Sequence, residues 1–238
     1  MVYIILAAGT GSRLHPITLK HPKSLFSLDD HTTILQRMVN MLRKWSPQAE
    51  IVVVCGFQHR LLEEYVSGVE WVYNPFYKVT NSLASLWFAK NYLDREVTIL
   101  NGDIVMSEQL IREVVTQSTD RPEVLMDSSI KEGDYNVQSE HGKVIVMSKE
   151  LTSYTGEYAG VTKLDQNSAL QLREQLCEMV EDGRYDTWYE DALVQMIFER
   201  NFSLFAKDIS AYEWTEVDSV DDLVYAKKIH EKEGRSQV

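Results

Sequence analysis

Gly9-Thr10-Gly11-Ser12 follows an apolar run, and a turn of that composition can aim several backbone N–H groups at phosphate oxygens. Arg13 adds a planar donor fork suited to phosphate, and Lys23 adds a compact charge that could sit on an α-phosphate. Two familiar phosphate loops do not fit. GxGxxG requires a third glycine where Leu14 stands, and no Gly-Lys-Ser/Thr follows. The two glycines alone would be an ordinary strand-to-loop turn. Arg13, Pro16, Pro22 and Lys23 in this order argue for a phosphate site instead. Farther along, Asp103 closes a strand-like run at Asn101-Gly102-Asp103, an edge where open α/β sheets bind ligands.

The elements that must position these residues follow from periodicity. Residues 2–7 (VYIILA) read as a buried parallel strand, and 51–56 (IVVVCG) as a second. Between them Ile34, Leu35, Met38, Met41, Leu42 and Trp45 share one helical face. A helix over roughly 58–66, a short strand EWVY, a helix over 82–93 and a strand VTIL (97–100) continue the alternation. The β-α-β-α-β pattern predicts a Rossmann-like, doubly wound α/β fold with a mostly parallel mixed sheet. After about residue 120 the pattern changes. EVLMDSS is strand-like, YNVQ and KVIVM form a hairpin around SEHG, and EYAGVTKL is a further strand. Helices are expected at 167–181 and 188–199, a late strand in SLFAKDI, and a last helix from Ser219, with Asp222 completing a near capping box. No repeat or linker interrupts the chain, so one domain over 1–238 is expected. Its first half, to about 120, would hold the phosphate site, and its second half would lay further binding elements over the sheet.

Net charge is −12, which counts against a nucleic-acid binder. Residues 1–28 hold Arg13, Lys20 and Lys23 and no acid. The remaining 210 residues carry 21 basic and 36 acidic side chains, so a small cationic island stands on an acidic protein and suits a compact anion such as a triphosphate. Cys55 and Cys177 are far apart, which argues against a disulfide framework or a zinc site. No stretch has the length of a membrane span, and the opening run lacks a basic flank. A cytoplasmic enzyme with no membrane or nucleic-acid partner is the expectation; a homo-oligomer stays open. The six histidines need no catalytic role, and His15, His21 and His59 are read as loop or surface residues.

Leu6-Ala7-Ala8-Gly9-Thr10-Gly11-Ser12-Arg13-Leu14, Pro16-Ile17-Thr18 and Pro22-Lys23 resemble the opening motif of the sugar-phosphate and phosphocholine nucleotidyltransferases. The segments Asn74-Pro75-Phe76-Tyr77, Asn81-Ser82-Leu83, Asn101-Gly102-Asp103, Ser148-Lys149, Gly156-Glu157-Tyr158, Trp188-Tyr189-Glu190-Asp191 and Glu216-Val217-Asp218 look like the phosphocholine and phosphonate cytidylyltransferase branch. The resemblance implies a nucleotidyltransferase that couples a phosphate or phosphonate acceptor to an NTP, most simply CTP, and releases pyrophosphate. It implies Mg²⁺ held by Asp103 and Asp218, with Glu216 beside them. Arg13 and Lys23 would be catalytic. Leu6, Ala8, Gly9, Thr10, Gly11, Ser12, Asn81 and Ser82 would meet the nucleotide, the last two also suiting a helix N-cap. Lys149, Glu157, Tyr158, Trp188 and Glu190 would meet the acceptor, whose ammonium group aromatic faces and carboxylates could hold. Where that branch reads Met-Lys-Val, this chain has Tyr135-Asn136-Val137. A sugar 1-phosphate acceptor with UTP, dTTP, CTP or GTP is the alternative, and a silent nucleotide-sensing module is the alternative from another class.

Overall fold

The opening apolar run forms β1 (Val2–Ala7), in which Val2 and Ile4 face one side of a sheet while Tyr3 and Ile5 face the other. All four are fully buried, as a strand covered on both faces requires. The structure, a computed structural model, describes residues 1–14, 16–130 and 133–235, and for Ser12, Gly234 and Arg235 the backbone alone. His15 lies outside the described residues.

From β1 the chain passes through a loop of short 3₁₀ turns to α1 (Ile34–Trp45), whose N-cap Thr33 accepts from the Gln36 N–H at 3.3 Å. Then follow β2 (Glu50–Cys55), α2 (His59–Tyr65), β3 (Glu70–Tyr73), α3 (Ser82–Phe88) and β4 (Val97–Asn101). Asp103 leads into β5 (Ile104–Met106), then α4 (Glu108–Leu110), which runs into a π-helical turn at Ile111–Val115. The second half supplies β6 (Glu123–Asp127), the hairpin β7 (Asn136–Glu140) and β8 (Lys143–Ser148), and β9 (Gly156–Leu164). It ends with α5 (Gln166–Glu181), α6 (Tyr189–Glu199), β10 (Phe205–Asp208), β11 (Trp214–Glu216) and α7 (Val220–Arg235).

Nine strands form one sheet in the order β3-β2-β1-β4-β9-β6-β10-β8-β7, with β7 also pairing β9. β3, β2, β1 and β4 run parallel, β9 lies antiparallel between β4 and β6, and β10 is parallel to β6. Residues of α3, α5 and α6 bury one face, and residues of α1, α2 and the 108–115 segment bury the other. This is the expected doubly wound α/β mixed sheet. β2 and β3 extend from one side of β1, while β4 pairs on the other, so the order in which strands are added switches between β1 and β4. In open α/β sheets the crevice at that switch point takes the ligand.

Two departures from the sequence expectation bear on the site. The helix expected over 82–93 is two pieces, because the Ala89 N–H reaches back to Leu86 O at 2.9 Å and a 3₁₀ turn (Lys90–Tyr92) follows. Leu83, Leu86 and Leu93 are buried all the same, so the apolar spacing was satisfied by two short helices. The other departure is the pairing of β5 with β11 as a separate two-stranded sheet, which no periodicity announced. Among the described residues no helix is long and apolar enough to cross a membrane.

Arg37 locks α7 to this small sheet. It is 3% exposed, and its guanidinium donates to Met106 O at 2.7 Å and to both Glu233 oxygens at 2.6 and 2.8 Å. Glu233 in turn accepts the Glu108 N–H at 2.7 Å. Removing one partner of such a buried pair leaves the other charge uncompensated. Arg37→Ala should therefore lower stability by about 3–5 kcal/mol, seen as a lower denaturant midpoint with little change in slope. A midpoint equal to that of the unaltered protein would show that the clamp contributes nothing.

Candidate active site

The cleft at the switch point has a volume of about 210 Å³ and is lined by Leu6 to Gly9, Gly11, Lys23, Asn101 to Asp103 and Glu216. Tyr77, Thr80, Asn81, Ser82, Ser85, Trp188 and Glu190 line it too. Gly11 has φ +63, and a Cβ there would lie 2.8 Å from Lys23 Cγ, so a glycine lets the lysine stem pass. The Thr18 hydroxyl fixes this turn by donating to Gly11 O at 2.7 Å. A Cβ on Gly9 would meet nothing within 4 Å, which leaves open space for a close approach to its backbone.

Three carboxylates converge at the cleft floor. Asp103, Glu216 and Asp218 each offer an oxygen, and these lie within 4.8 Å of one another. The local sequence brings them together through β5 and β11, whose register pairs Ile104 with Glu216, and through the Val217 N–H, which donates to Asp103 O at 3.0 Å. Asp222 then accepts from the Asp218 and Ser219 N–H groups at 3.1 and 2.7 Å, fixing the turn into α7. Lys23 Nζ lies 2.6 Å from Asp103 Oδ2 and 2.5 Å from Asp218 Oδ1. Arg13 bridges Asp218 at 2.9 Å and Asp134 at 2.8 Å. Burial pushes the Glu216 carboxyl well above the usual range, and the neighbouring Asp103 and Asp218 charges push it further. Burial alone would lower Lys23, but its two aspartates outweigh that and raise it. Three hard oxygen donors this close fit a divalent cation.

The other end of the cleft mixes rings and charges. Trp188 is the N-cap of α6, and Asp191 closes its first turn by accepting the Trp188 N–H at 3.1 Å. Lys149 Nζ lies 4.6 Å from the centre of the Trp188 ring and 2.8 Å from Asp134. Despite its desolvation, Asp134 is held below the usual carboxylate range by Lys149 and Arg13. Glu157 accepts the Asp134 N–H at 2.8 Å. Burial raises Glu157, and burial raises Glu190 to about 8. Glu190 Oε2 has no hydrogen-bond partner among the described residues.

The sequence-derived residues divide accordingly. Leu6, Ala8, Gly9, Gly11, Lys23, Asn81, Ser82, Asp103, Glu216, Trp188 and Glu190 share the cleft wall. Arg13, Asp218 and Lys149 join them through ion pairs. Asn81 is an N-cap, its side chain accepting from the Ser82 N–H at 2.8 Å, and Ser82 Oγ accepts the Tyr189 N–H at 3.0 Å. Tyr158 must be corrected. It is 3% exposed, and its hydroxyl is tied to Thr162 at 2.8 Å and to the Tyr189 hydroxyl, so it packs beneath the site and touches no cleft space. Tyr189 is equally buried. Thr10 does not line the cleft either. Tyr77, Thr80 and Ser85 were missed. Buried Asn74 delivers them, donating to Thr80 at 3.1 Å and to Ser85 at 3.0 Å and accepting the Phe76 N–H at 2.9 Å. The Asn-Pro-Phe-Tyr segment was the available signal.

This chain belongs to the MobA-like NTP transferase domain family, which it matches over residues 3–175. The domain is thus of the NTP transferase kind. It is 24% identical over 94% of its length to the bifunctional IPC transferase and DIPP synthase of Aquifex aeolicus, of which it spans 50%. It is 23% identical over 92% of its length to the CTP:phosphoglutamine cytidylyltransferase of Campylobacter jejuni, covering 96% of that protein. Among solved structures, the CTP:phosphocholine cytidylyltransferase of Streptococcus pneumoniae matches with a TM-score of 0.76 at 21% identity, over 96% of this chain and 99% of that one. That likeness shows the fold.

Glu190 gives a pH prediction. Its folded carboxyl titrates near 8, above the ordinary 4.5, so the folded state binds its proton more tightly. The stability it contributes is complete below about 4.5 and is lost as pH rises through about 8. Glu190→Gln should show a melting-temperature advantage over the unaltered protein that grows across this interval. A constant difference from acid to alkali would show that the carboxyl is not held protonated.

Proposed function

We propose that the protein transfers CMP from CTP to a small phosphocholine- or phosphonate-type acceptor and releases pyrophosphate, with Mg²⁺ as its cofactor. The observation that carries this reading is the meeting of Asp103, Glu216 and Asp218 with Lys23 beside the open Gly9 backbone. Cytosine is favoured because the Campylobacter and Streptococcus proteins are cytidylyltransferases by name.

The chemistry needs no general base. An acceptor phosphate or phosphonate oxygen is ionised near neutral pH. It attacks the α-phosphorus, the bond to the bridging oxygen breaks, and pyrophosphate leaves with the electron pair. The difficulty is bringing anions together, so the protein's task is charge placement and alignment. Asp103, Glu216 and Asp218 would hold Mg²⁺, which when bound neutralises the transferring and leaving phosphoryl oxygens. Lys23 would steady the α-phosphate and Arg13 the triphosphate, over a backbone cradle from Ala8 through Ser12. Asn81 and Ser82 lie where they could meet the base. In this reading residues 1–238 form one domain, with the nucleotide held by the first half and the acceptor by the second. The acceptor would lie toward Lys149, Glu157, Trp188 and Glu190. Trp188 already carries one ammonium on its face, and Glu190 presents a buried carboxyl with no partner for one oxygen among the described residues. Both features suit a positively charged acceptor tail.

Two measurements test this. Asp103→Ala should cut turnover by roughly 10³-fold, about 4 kcal/mol of transition-state stabilisation, and EDTA should do the same to the unaltered enzyme; full activity in either case removes the metal assignment. Pyrophosphate release should be fastest with CTP among the four NTPs. With CTP, kcat/KM should favour phosphocholine or aminoethylphosphonate over glucose 1-phosphate. A preference of about tenfold for the sugar phosphate would transfer the assignment to a sugar-1-phosphate enzyme.

A further inference from the structure

Lys23 carries a consequence beyond steadying a phosphate. Its side chain is 11% exposed, and its ammonium sits between two of the three carboxylates assigned to the metal, at 2.6 Å from Asp103 and 2.5 Å from Asp218. Those same oxygens cannot serve an ammonium and a divalent cation together, because the two positive centres would be forced into contact. The lysine stem runs over Gly11, against which even a methyl group would collide at 2.8 Å. The backbone there is thus shaped around the chain of this particular side chain. Arg13 repeats the pattern at the rim, holding the second oxygen of Asp218.

We propose that Lys23 is the resident counter-ion of the metal site, neutralising Asp103 and Asp218 until nucleotide arrives and then exchanging them for phosphate. The inference rests on the metal reading above. A metal entering alone must break both ion pairs while Lys23 is offered no other anion. A triphosphate entering alone meets a lysine already neutralised, and drawing it away uncovers two carboxylates beside the phosphates. When both enter, every charge regains an opposite partner: Lys23 takes phosphate and the carboxylates take metal. The two ligands therefore bind with positive coupling, and each strengthens the other by the same factor. The device keeps the apo cleft from filling with free cation and reserves the assembled site for the complete metal–nucleotide pair.

The test uses Mn²⁺ alone, without nucleotide, and follows its binding to the full chain by electron paramagnetic resonance. Lys23→Met should bind free Mn²⁺ about tenfold tighter than the unaltered protein, within the usual range for coupled sites. Lys149→Met removes the same charge from the neighbouring cluster of Asp134 and Trp188 without touching Asp103 or Asp218, and its affinity should stay within about twofold of the unaltered protein. Adding Asp103→Asn to Lys23→Met should abolish the gain, which locates the tighter site. Circular dichroism checks the fold, and Lys23→Gln repeats the measurement if the methionine variant misfolds. Equal affinities for Lys23→Met and the unaltered protein would overturn the proposal, and so would an equal gain in Lys149→Met. If that happens while turnover still requires metal, the metal reading survives. Turnover undiminished in EDTA would remove both.

Discussion

The structure depends on holding three carboxylates, Asp103, Glu216 and Asp218, within 4.8 Å of one another. Like charges at that spacing in a partly buried cleft repel strongly. The upward displacement of the Glu216 carboxyl, driven by burial and then by its two neighbours, is the visible sign of that cost. Lys23 and Arg13 offset it with three short ion pairs to Asp103 and Asp218. A cluster this unfavourable persists only if the backbone around it is fixed by interactions that do not themselves involve the charges.

Those interactions are the small pairing of β5 with β11, the turn into α7 and the Arg37 clamp. Asp103 enters β5 directly, and Glu216 ends β11, so three ladder pairs set the spacing of two carboxylates. The Asp222 side chain gathers the N–H groups of Asp218 and Ser219, and Ser219 Oγ accepts from the Asp222 N–H at 3.2 Å. At the far end Arg37 ties Met106, the last residue of β5, to Glu233 near the end of α7. The nine-stranded sheet supplies the other half of the arrangement. Where the strand order switches between β1 and β4 a crevice opens, and the glycine loop and Asp103 both line it.

Much of this was legible in the sequence, for a physical reason. Buried parallel strands are short apolar runs bounded by turns, so β1, β2 and β4 could be read within a residue or two of their ends. The glycine loop and Asp103 are adjacent in sequence to those strands, Lys23 lies in the loop that leaves β1, and the convergence of loop and Asp103 follows from strand order. β5 and β11 were invisible because three-residue strands have no period to detect. The ion pairs of Arg13 and Lys23 with Asp218 join residues from opposite ends of the chain, and no local pattern encodes them. Tyr158 misled for a related reason. Strand β9 alternates faces, and residue type alone does not say which face meets the cleft. Glu157 turns toward Asp134, while Tyr158 turns into the core against Tyr189.

The acceptor end shows why specificity is harder to read than chemistry. Transfer to an α-phosphorus demands a fixed charge pattern, and that pattern leaves a motif. Recognition of an acceptor tail can be assembled from any rings and carboxylates that the second half brings together. Trp188 is presented by a helix N-terminus, Lys149 comes from the turn after β8, and Asp134 comes from the approach to β7. Glu190 is buried in the first turn of α6, where desolvation holds its proton to about pH 8 and one oxygen finds no donor. On the proposed reading, a cationic tail arriving there would favour the ionised carboxylate and draw the proton off. The protein alone would then store an unfavourable burial that its substrate relieves. A neutral sugar ring offers no such relief, so the same unsatisfied carboxyl that weakens the empty protein would become its means of choosing between acceptors.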